Sequence, residues 1–430
     1  MPSFGSQTMN TKSIIHCASL SAFLVAFLAV DASVRAADWV DLFDGKSLNG
    51  WGQRGGSAKY RVEDGQIIGT TVPNTPNSFL CTEKNYANFI LEVEFLVDSR
   101  MNSGIQIRSN SLKKFNQGRV HGYQVEIDPS DRAWSAGIYD ESRRGWLNDL
   151  EKNPAAQKAF KQNEWNKYRV EAVGDRIQTW INGVPAADLH DALTPSGFIA
   201  LQVHGVGDRK DAMEVRWRNV RLQDLGPAQP LELIHGNSMS SWVRADGEPV
   251  TGGWEVDNGV LTRRSRGGDI YTRHEFGDFE LNIEWKISHG GNSGIKYRMT
   301  KYGKSLLGLE YQVLDDDVHP DGKLRMGRRT SAALYDVFAC RVRTHPKPVG
   351  EWNQTRIVAR GTRVEHWLNG EMVLAYDTTT QAWREEIAAS KFPKNAKFGE
   401  NPWGKIMLQD HGDEVAYRNV TILPLAPVDD

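Results

Sequence analysis

Asn292-Ser293-Gly294-Ile295-Lys296-Tyr297-Arg298 repeats, 190 positions later, the pattern of Asn102-Ser103-Gly104-Ile105-Gln106-Ile107-Arg108. Each copy follows an alternating apolar and polar run: Phe89-Ile90-Leu91-Glu92-Val93-Glu94-Phe95 in one case, Phe279-Glu280-Leu281-Asn282-Ile283-Glu284-Trp285 in the other. Period-two alternation marks a half-buried strand. The Asn-Ser-Gly triplet then reads as a turn into a second strand. On that strand successive side chains point to opposite faces. Arg108 is therefore expected beside Gln106, and Arg298 beside Lys296, with the isoleucines facing the core. A single copy would be an ordinary hairpin, but two at equivalent places suggest a working face.

The rest of the chain supports a duplication. Leu42-Phe43-Asp44-Gly45 to Trp51 is echoed by Leu233-Ile234-His235-Gly236 to Trp242. Glu164-Trp165-Asn166 matches Glu351-Trp352-Asn353, and Ile181-Asn182-Gly183 matches Leu368-Asn369-Gly370, both 187 positions apart. Leu201-Gln202-Val203-His204-Gly205 matches Leu408-Gln409-Asp410-His411-Gly412 at 207. The larger offset places an insert around Gln381–Trp403. The predicted layout is a signal segment over 1–36, a first domain over 38–225, a linker over 226–230 and a second domain over 231–425. Short alternating runs separated by Gly, Asn and Asp turns predict an all-β fold of two jelly-roll sandwiches in tandem. Helix is expected only within Leu147–Lys161 and Thr379–Ser390.

Composition narrows the function. The 430 residues carry a formal net charge of -2 with no block of like charge, which disfavours nucleic-acid binding by bulk electrostatics. Lys12 and His16 precede the apolar run from Leu20 to Val30, and Val34-Arg35-Ala36 supplies a small-residue cleavage site. This reads as a secretory signal cleaved after Ala36, giving a secreted or periplasmic product. No later stretch has the apolar length of a membrane span. Cys81 and Cys340 occupy non-equivalent places in the two halves, which argues against a disulfide.

Several recurring polar residues are suited to chemistry. Gln124 and Glu126 sit two apart on one strand, and Glu310 and Gln312 on its counterpart in the opposite order. Both pairs place one carboxylate and one amide on a single face, where the carboxylate can serve as general acid or base. His204 and His411 end strands on which Gln202 and Gln409 share their face, and histidine suits proton transfer near neutral pH. Asp140 and Asp336 recur after a tyrosine, and His366 belongs to the second half alone. Asp315, Asp316, Asp317 and His319 form an acidic run with some character of a hard-cation site. The nucleophile elbow, the phosphate-binding loop, the dinucleotide fingerprint and the Glu-x-Asp-x-x-Glu strand of sandwich glycosidases are absent from the sequence.

Leu42–Trp51, the Asn-Ser-Gly-Ile copies, Glu310-Tyr311-Gln312-Val313-Leu314-Asp315, His366-Trp367-Leu368-Asn369-Gly370 and Leu408–Gly412 together resemble the 3-keto-disaccharide hydrolase family. The resemblance covers nearly the whole mature chain, once per half. It implies concanavalin A-like jelly rolls that bind ligand on the concave sheet, and a substrate sugar already oxidised at C3. The keto group acidifies the C2 proton, so the glycosidic bond leaves by elimination. The implied catalytic set is Glu310, His411 and Arg298, or Glu126, His204 and Arg108. Lys296, Gln312, Gln409, His366, Asp336, Gln106, Gln124, Gln202 and Asp140 are the implied substrate ligands. Some members use a divalent metal to steady the enolate. The alternative is a non-catalytic carbohydrate-binding protein of two lectin-like modules, since one sandwich hosts both.

Overall fold

The computed structural model describes residues 37–342, 345–395 and 397–429. The expected signal segment lies outside them. Two antiparallel β-sandwiches follow one another along the chain. In the first, an eight-stranded sheet faces a seven-stranded one; in the second, an eight-stranded sheet faces a five-stranded one. The fold is the expected tandem jelly roll.

Alternation builds both cores. Phe89, Leu91, Val93 and Phe95 on the Asn88–Val97 strand pack against Ile105, Ile107, Tyr123 and Val125 of the opposite sheet. Phe279, Leu281, Ile283 and Trp285 meet Ile295, Tyr297, Tyr311 and Val313 in the second half. Full burial of each such side chain is worth about 1.5–3 kcal/mol, so these inward rows set the register of both sandwiches.

The Asn-Gly and Asp-Gly pairs make the hairpins they predict. Asp64 and Gly65 have φ of 50° and 72°, and Asn258 and Gly259 have 49° and 75°. Two consecutive positive φ values are the requirement of a type I′ hairpin turn. The Asn182 and Asn369 side chains add a bond of their own, accepting the Lys167 and Gln354 amides at 2.8 and 2.9 Å.

The Asn-Ser-Gly triplet departs from expectation: Ser103 and Gly104, and all of Asn292, Ser293 and Gly294, are strand and not turn. The reversal comes earlier, where the Met101 amide bonds to Asp98 O and that of Gly291 to Ser288 O. Ser103 and Ser293 point into the core and donate to the carbonyls of Gln202 and Gln409 at 2.7 and 2.8 Å. Gly104 and Gly294 sit beneath long polar side chains of the neighbouring strand. A Cβ on Gly104 would lie 2.5 Å from Gln124 Cδ, and one on Gly294 would lie 2.4 Å from Glu310 Oε1. The motif thus seats two polar side chains on the sheet.

Helix is shorter than predicted. It covers Pro154–Ala159 in the first half, because Gly145–Asn148 forms an edge strand. In the second half it covers Gln381–Ala389, capped by Thr380 Oγ1, which accepts the Trp383 amide.

Candidate functional site

Three adjacent strands of the seven-stranded sheet carry the predicted polar residues: Ser103–Asn110, His121–Ile127 and Phe198–Val203. Gln106 pairs with Gln124 across the ladder, and Gly104 with Glu126. In the second half Lys296 pairs with Glu310 and Gly294 with Gln312. The carboxylate and the amide have therefore exchanged places between two equivalent frames.

In the first half these residues form an amide ladder. Gln124 Oε1 accepts from Gln106 Nε2 at 2.6 Å and from Gln202 Nε2 at 2.9 Å. Gln124 Nε2 donates to Glu126 Oε2 at 2.7 Å, and Asn102 Nδ2 donates to Glu126 Oε1 at 2.6 Å. Burial pushes the Glu126 carboxyl above its ordinary value, and the two amide donors oppose that shift. Gln124, Glu126, Gln202 and His204 line a cavity of about 430 Å³, whose far wall holds Arg119, Arg132, Tyr139 and Trp146. His204 Nδ1 lies 2.7 Å from Gly205 O. The carbonyl can only accept, so Nδ1 carries the proton of that contact.

At the ladder position where the first half pairs two amides, the second pairs two charged side chains. Lys296 Nζ is 3.4 Å from Glu310 Oε2, and both side chains are largely buried. Lys391, from the insert, lies with its ammonium 4.1 Å from the centre of the Tyr335 ring. Burial lowers its pKa, Lys296 and Arg329 add to that, and Glu310 and Asp336 oppose it. Asp269 accepts the Asp410 amide at 2.9 Å; burial raises its carboxyl, and the charges of Lys296 and His411 pull the other way. His411 is exposed and its ring lies 6.2 Å from that of His319. His319 Nε2 in turn is 3.4 Å from Asn292 Nδ2, and Asn292 Oδ1 accepts from Gln312 at 3.3 Å. Gln409 ends the strand beside Gly294, to whose carbonyl its amide bonds at 3.0 Å.

Other predicted residues lie elsewhere. Arg108 and Arg298 have φ of 44° and 50° and sit at bulges that turn them off the face shared by Gln106 and Lys296. Arg108 donates to Ala87 O, Gly174 O and Asn88 Oδ1. Arg298 donates to Gly361 O and to Asp278 Oδ1. Both arginines brace one sheet to the other. Burial lowers the Arg108 pKa to about 10, so its charge persists at neutral pH. Strand alternation could not foresee this, because a bulge resets the period.

His366 is fully buried in the core, with Nε2 2.7 Å from Tyr297 Oη and Nδ1 2.8 Å from Ala332 O. Its counterpart Thr179 donates to the matching carbonyl, that of Ala136, at 2.6 Å. Asp140 is locked between Arg143 and Arg144, and Asp336 between Arg325 and Arg329. Asp410 is tied to Arg263 at 2.7 Å and to the amides of Gly267 and Gly268. These three carboxylates are held by arginines and backbone amides, and Asp336 also accepts the Lys391 amide at 2.8 Å.

Sequence reading missed Asn102 and Asn292, although alternation run back from Gly104 and Gly294 puts both on the working face. It also missed Arg132, Tyr139, Trp146 and Lys391. The last sits in the insert and has no counterpart to mark it.

Both halves match the model of the 3-keto-alpha-glucoside-1,2-lyase-like domain, over residues 38–223 and 229–423. The chain belongs to this family. It is similar to a 3-keto-disaccharide hydrolase of Bacteroides thetaiotaomicron, 36% identical over 224 residues, covering 45% of this chain and 77% of that protein. Among solved structures, a presumed glycosyl hydrolase of Parabacteroides distasonis is 28% identical over 46% of this chain and 94% of its own, with a TM-score of 0.42. A carbohydrate-binding module of Bacillus subtilis is 18% identical over 40% and 94%, with a TM-score of 0.29.

A divalent metal does not fit the residues found. Among the described residues no group of three or more His, Cys, Asp or Glu is placed to hold one. The acidic run is spent on its own loop: Asp315 accepts the Gly290 and Asp317 amides, and Asp316 that of Ser331.

Proposed function

We propose that the protein is an exported enzyme that cleaves 3-keto-glycosides by elimination, and that the second lyase-like domain performs the reaction. The observation that carries this reading is the largely buried Lys296–Glu310 pair on the concave sheet, 3.4 Å apart. It sets a base beside a cation where an enolate would form. Export rests on the N-terminal sequence, and the class of sugar on the family and the Bacteroides relative.

In this scheme the C2–H bond breaks and its proton passes to the Glu310 carboxylate. The electron pair forms the C2=C3 enolate, whose oxygen is stabilised by the Lys296 ammonium. As the C3 carbonyl re-forms, the pair moves into C1=C2 and the C1–O bond breaks. His411, in its protonated form, supplies the proton that the leaving oxygen takes up. Addition of water across C1=C2, oxygen to C1 and hydrogen to C2, then completes hydrolysis. Asn292, Gln312 and Gln409 are assigned to the substrate's hydroxyls.

Product formation from a 3-keto-glucoside and from its unoxidised parent tests the reading. Cleavage of the keto sugar alone is expected. Equal cleavage of both would sink the elimination, and binding without turnover would leave a lectin-like protein.

A further inference from the structure

We infer that the pocket of the first half is a separate, non-catalytic site for a neutral, unoxidised pyranose. Its frame is that of the second half, but its charges have been replaced. Gln106 stands where Lys296 does, and Gln124 where Glu310 does. The carboxylate that remains, Glu126, has one amide donor on each oxygen. Nothing equivalent to Lys391 reaches over it, because the insert belongs to the second half alone. At that ladder position an enolate would meet an amide in place of the Lys296 ammonium, and the cation beside Glu126, Arg132 at 3.6 Å, is itself paired with Asp128 at 2.7 Å.

The lining is built for a neutral polyol. Its two arginines are matched by carboxylates: Arg119 with Glu141 at 3.5 Å, and Arg132 with Asp128 at 2.7 Å and Glu126 at 3.6 Å. Among the residues that line the cavity, Arg119 and Arg132 balance Glu126 and Glu141, so the lining carries no net formal charge to select an acid or an amine. The ladder runs in one direction, since Gln202 spends its Nε2 on Gln124, and Gln202 Oε1 is left buried without a donor. An unpaired buried acceptor is unfavourable, and a ligand hydroxyl would supply its donor. Trp146 forms the apolar side, held edge-on by Trp134 and Tyr139 at 4.8 and 5.3 Å. Arg132 lies over both tryptophans at 4.9 and 5.0 Å. A fixed indole beside an amide row offers one face to sugar C–H groups and another to hydroxyls. A cavity of about 430 Å³ is within the range of small-ligand sites.

The inference takes its ligand class from the sugar chemistry of the proposed function but does not require the eliminating step. Calorimetric titration of the full chain carrying Glu310→Gln, with trehalose, maltose and cellobiose as neutral probes and glucuronate as the charged one, tests it. The expected result is binding of at least one neutral disaccharide, weakened at least tenfold by either Trp146→Ala or Gln202→Ala, with glucuronate weaker. Trp146 lies at the rim, so its variant remains informative if Gln202→Ala fails to fold. Binding indifferent to Trp146→Ala, a preference for glucuronate, or binding of none of the probes would each overturn the inference. So would loss of keto-sugar turnover in Glu126→Gln with an unchanged melting temperature, which would place the chemistry in the first half. Saccharide binding at this pocket in a protein that cleaves no keto sugar would sustain the inference while refuting the elimination.

Discussion

Lys296 faces Glu310 across the same ladder position at which Gln106 faces Gln124 in the first half. The charged pair stands 3.4 Å apart and the amide pair 2.6 Å. Duplication supplied one frame, and the two halves then diverged on its open face while keeping the core rows beneath.

The glycine under Glu310 is a test of that frame. A methyl group at residue 294 would lie 2.4 Å from Glu310 Oε1, the mobile end of a side chain, and not against backbone. Gly294→Ala is therefore expected to displace the carboxylate and lower turnover by about 10²-fold. The melting temperature should change by only a few degrees. Steady-state kinetics beside a thermal melt separate this from a folding defect, and unchanged turnover would remove Glu310 from the reaction.

The braces should behave in the opposite way. Arg298→Met leaves the buried Asp278 carboxylate without its cation, and breaking such a pair costs about 3–5 kcal/mol. Arg108→Met takes a donor from the carbonyls of Ala87 and Gly174 and leaves Asn88 Oδ1 with the Gly174 amide alone. Denaturation midpoints should drop sharply for both, while kcat of the folded fraction at low temperature stays near the parent's. A normal midpoint with lost kcat would return the arginines to the active site.

His366 predicts a pH dependence. Burial lowers its pKa from 6.5 to about 4, so the folded state favours the neutral ring. Its contribution is fully present above pH 6.5 and is lost as pH falls from there to about 4, below which it levels off. At 1.36 kcal/mol per pKa unit, the loss is about 3 kcal/mol. Urea unfolding between pH 4 and 7.5 should show this slope in the parent. His366→Asn should be less stable at pH 7.5 and flatter with pH, whereas parallel slopes would contradict the assignment.

Much of the fold was legible because alternation, Asn-Gly turns and internal repetition all act locally. Phe89 to Phe95 and Phe279 to Trp285 announce strands by period, and the matches of Gln124 with Glu310 and of Glu126 with Gln312 follow from aligning the halves. The site was less legible. Gln106, Gln124, Glu126, Gln202 and His204 do meet, as do Lys296 and Glu310. Arg108 and Arg298 do not join them, because each bulge turns one residue out of the period. The His366-Trp367-Leu368-Asn369-Gly370 resemblance implies a substrate ligand, whereas both ring nitrogens of His366 are satisfied inside the core. Lys391 reaches Tyr335 through an insert, a long-range approach that no local pattern encodes.

Solvent deuterium incorporation during cleavage tests the central claim most directly. A 3-keto-glucoside is cleaved in D₂O, and the sugar released in the first turnovers is examined by NMR against an enzyme-free control. Elimination followed by hydration predicts one deuterium at C2, and Glu310→Gln is expected to slow the reaction by about 10²-fold or more. Cleavage that leaves the original hydrogen on C2 would mean displacement at C1 and would contradict the mechanism assigned to the Lys296–Glu310 pair.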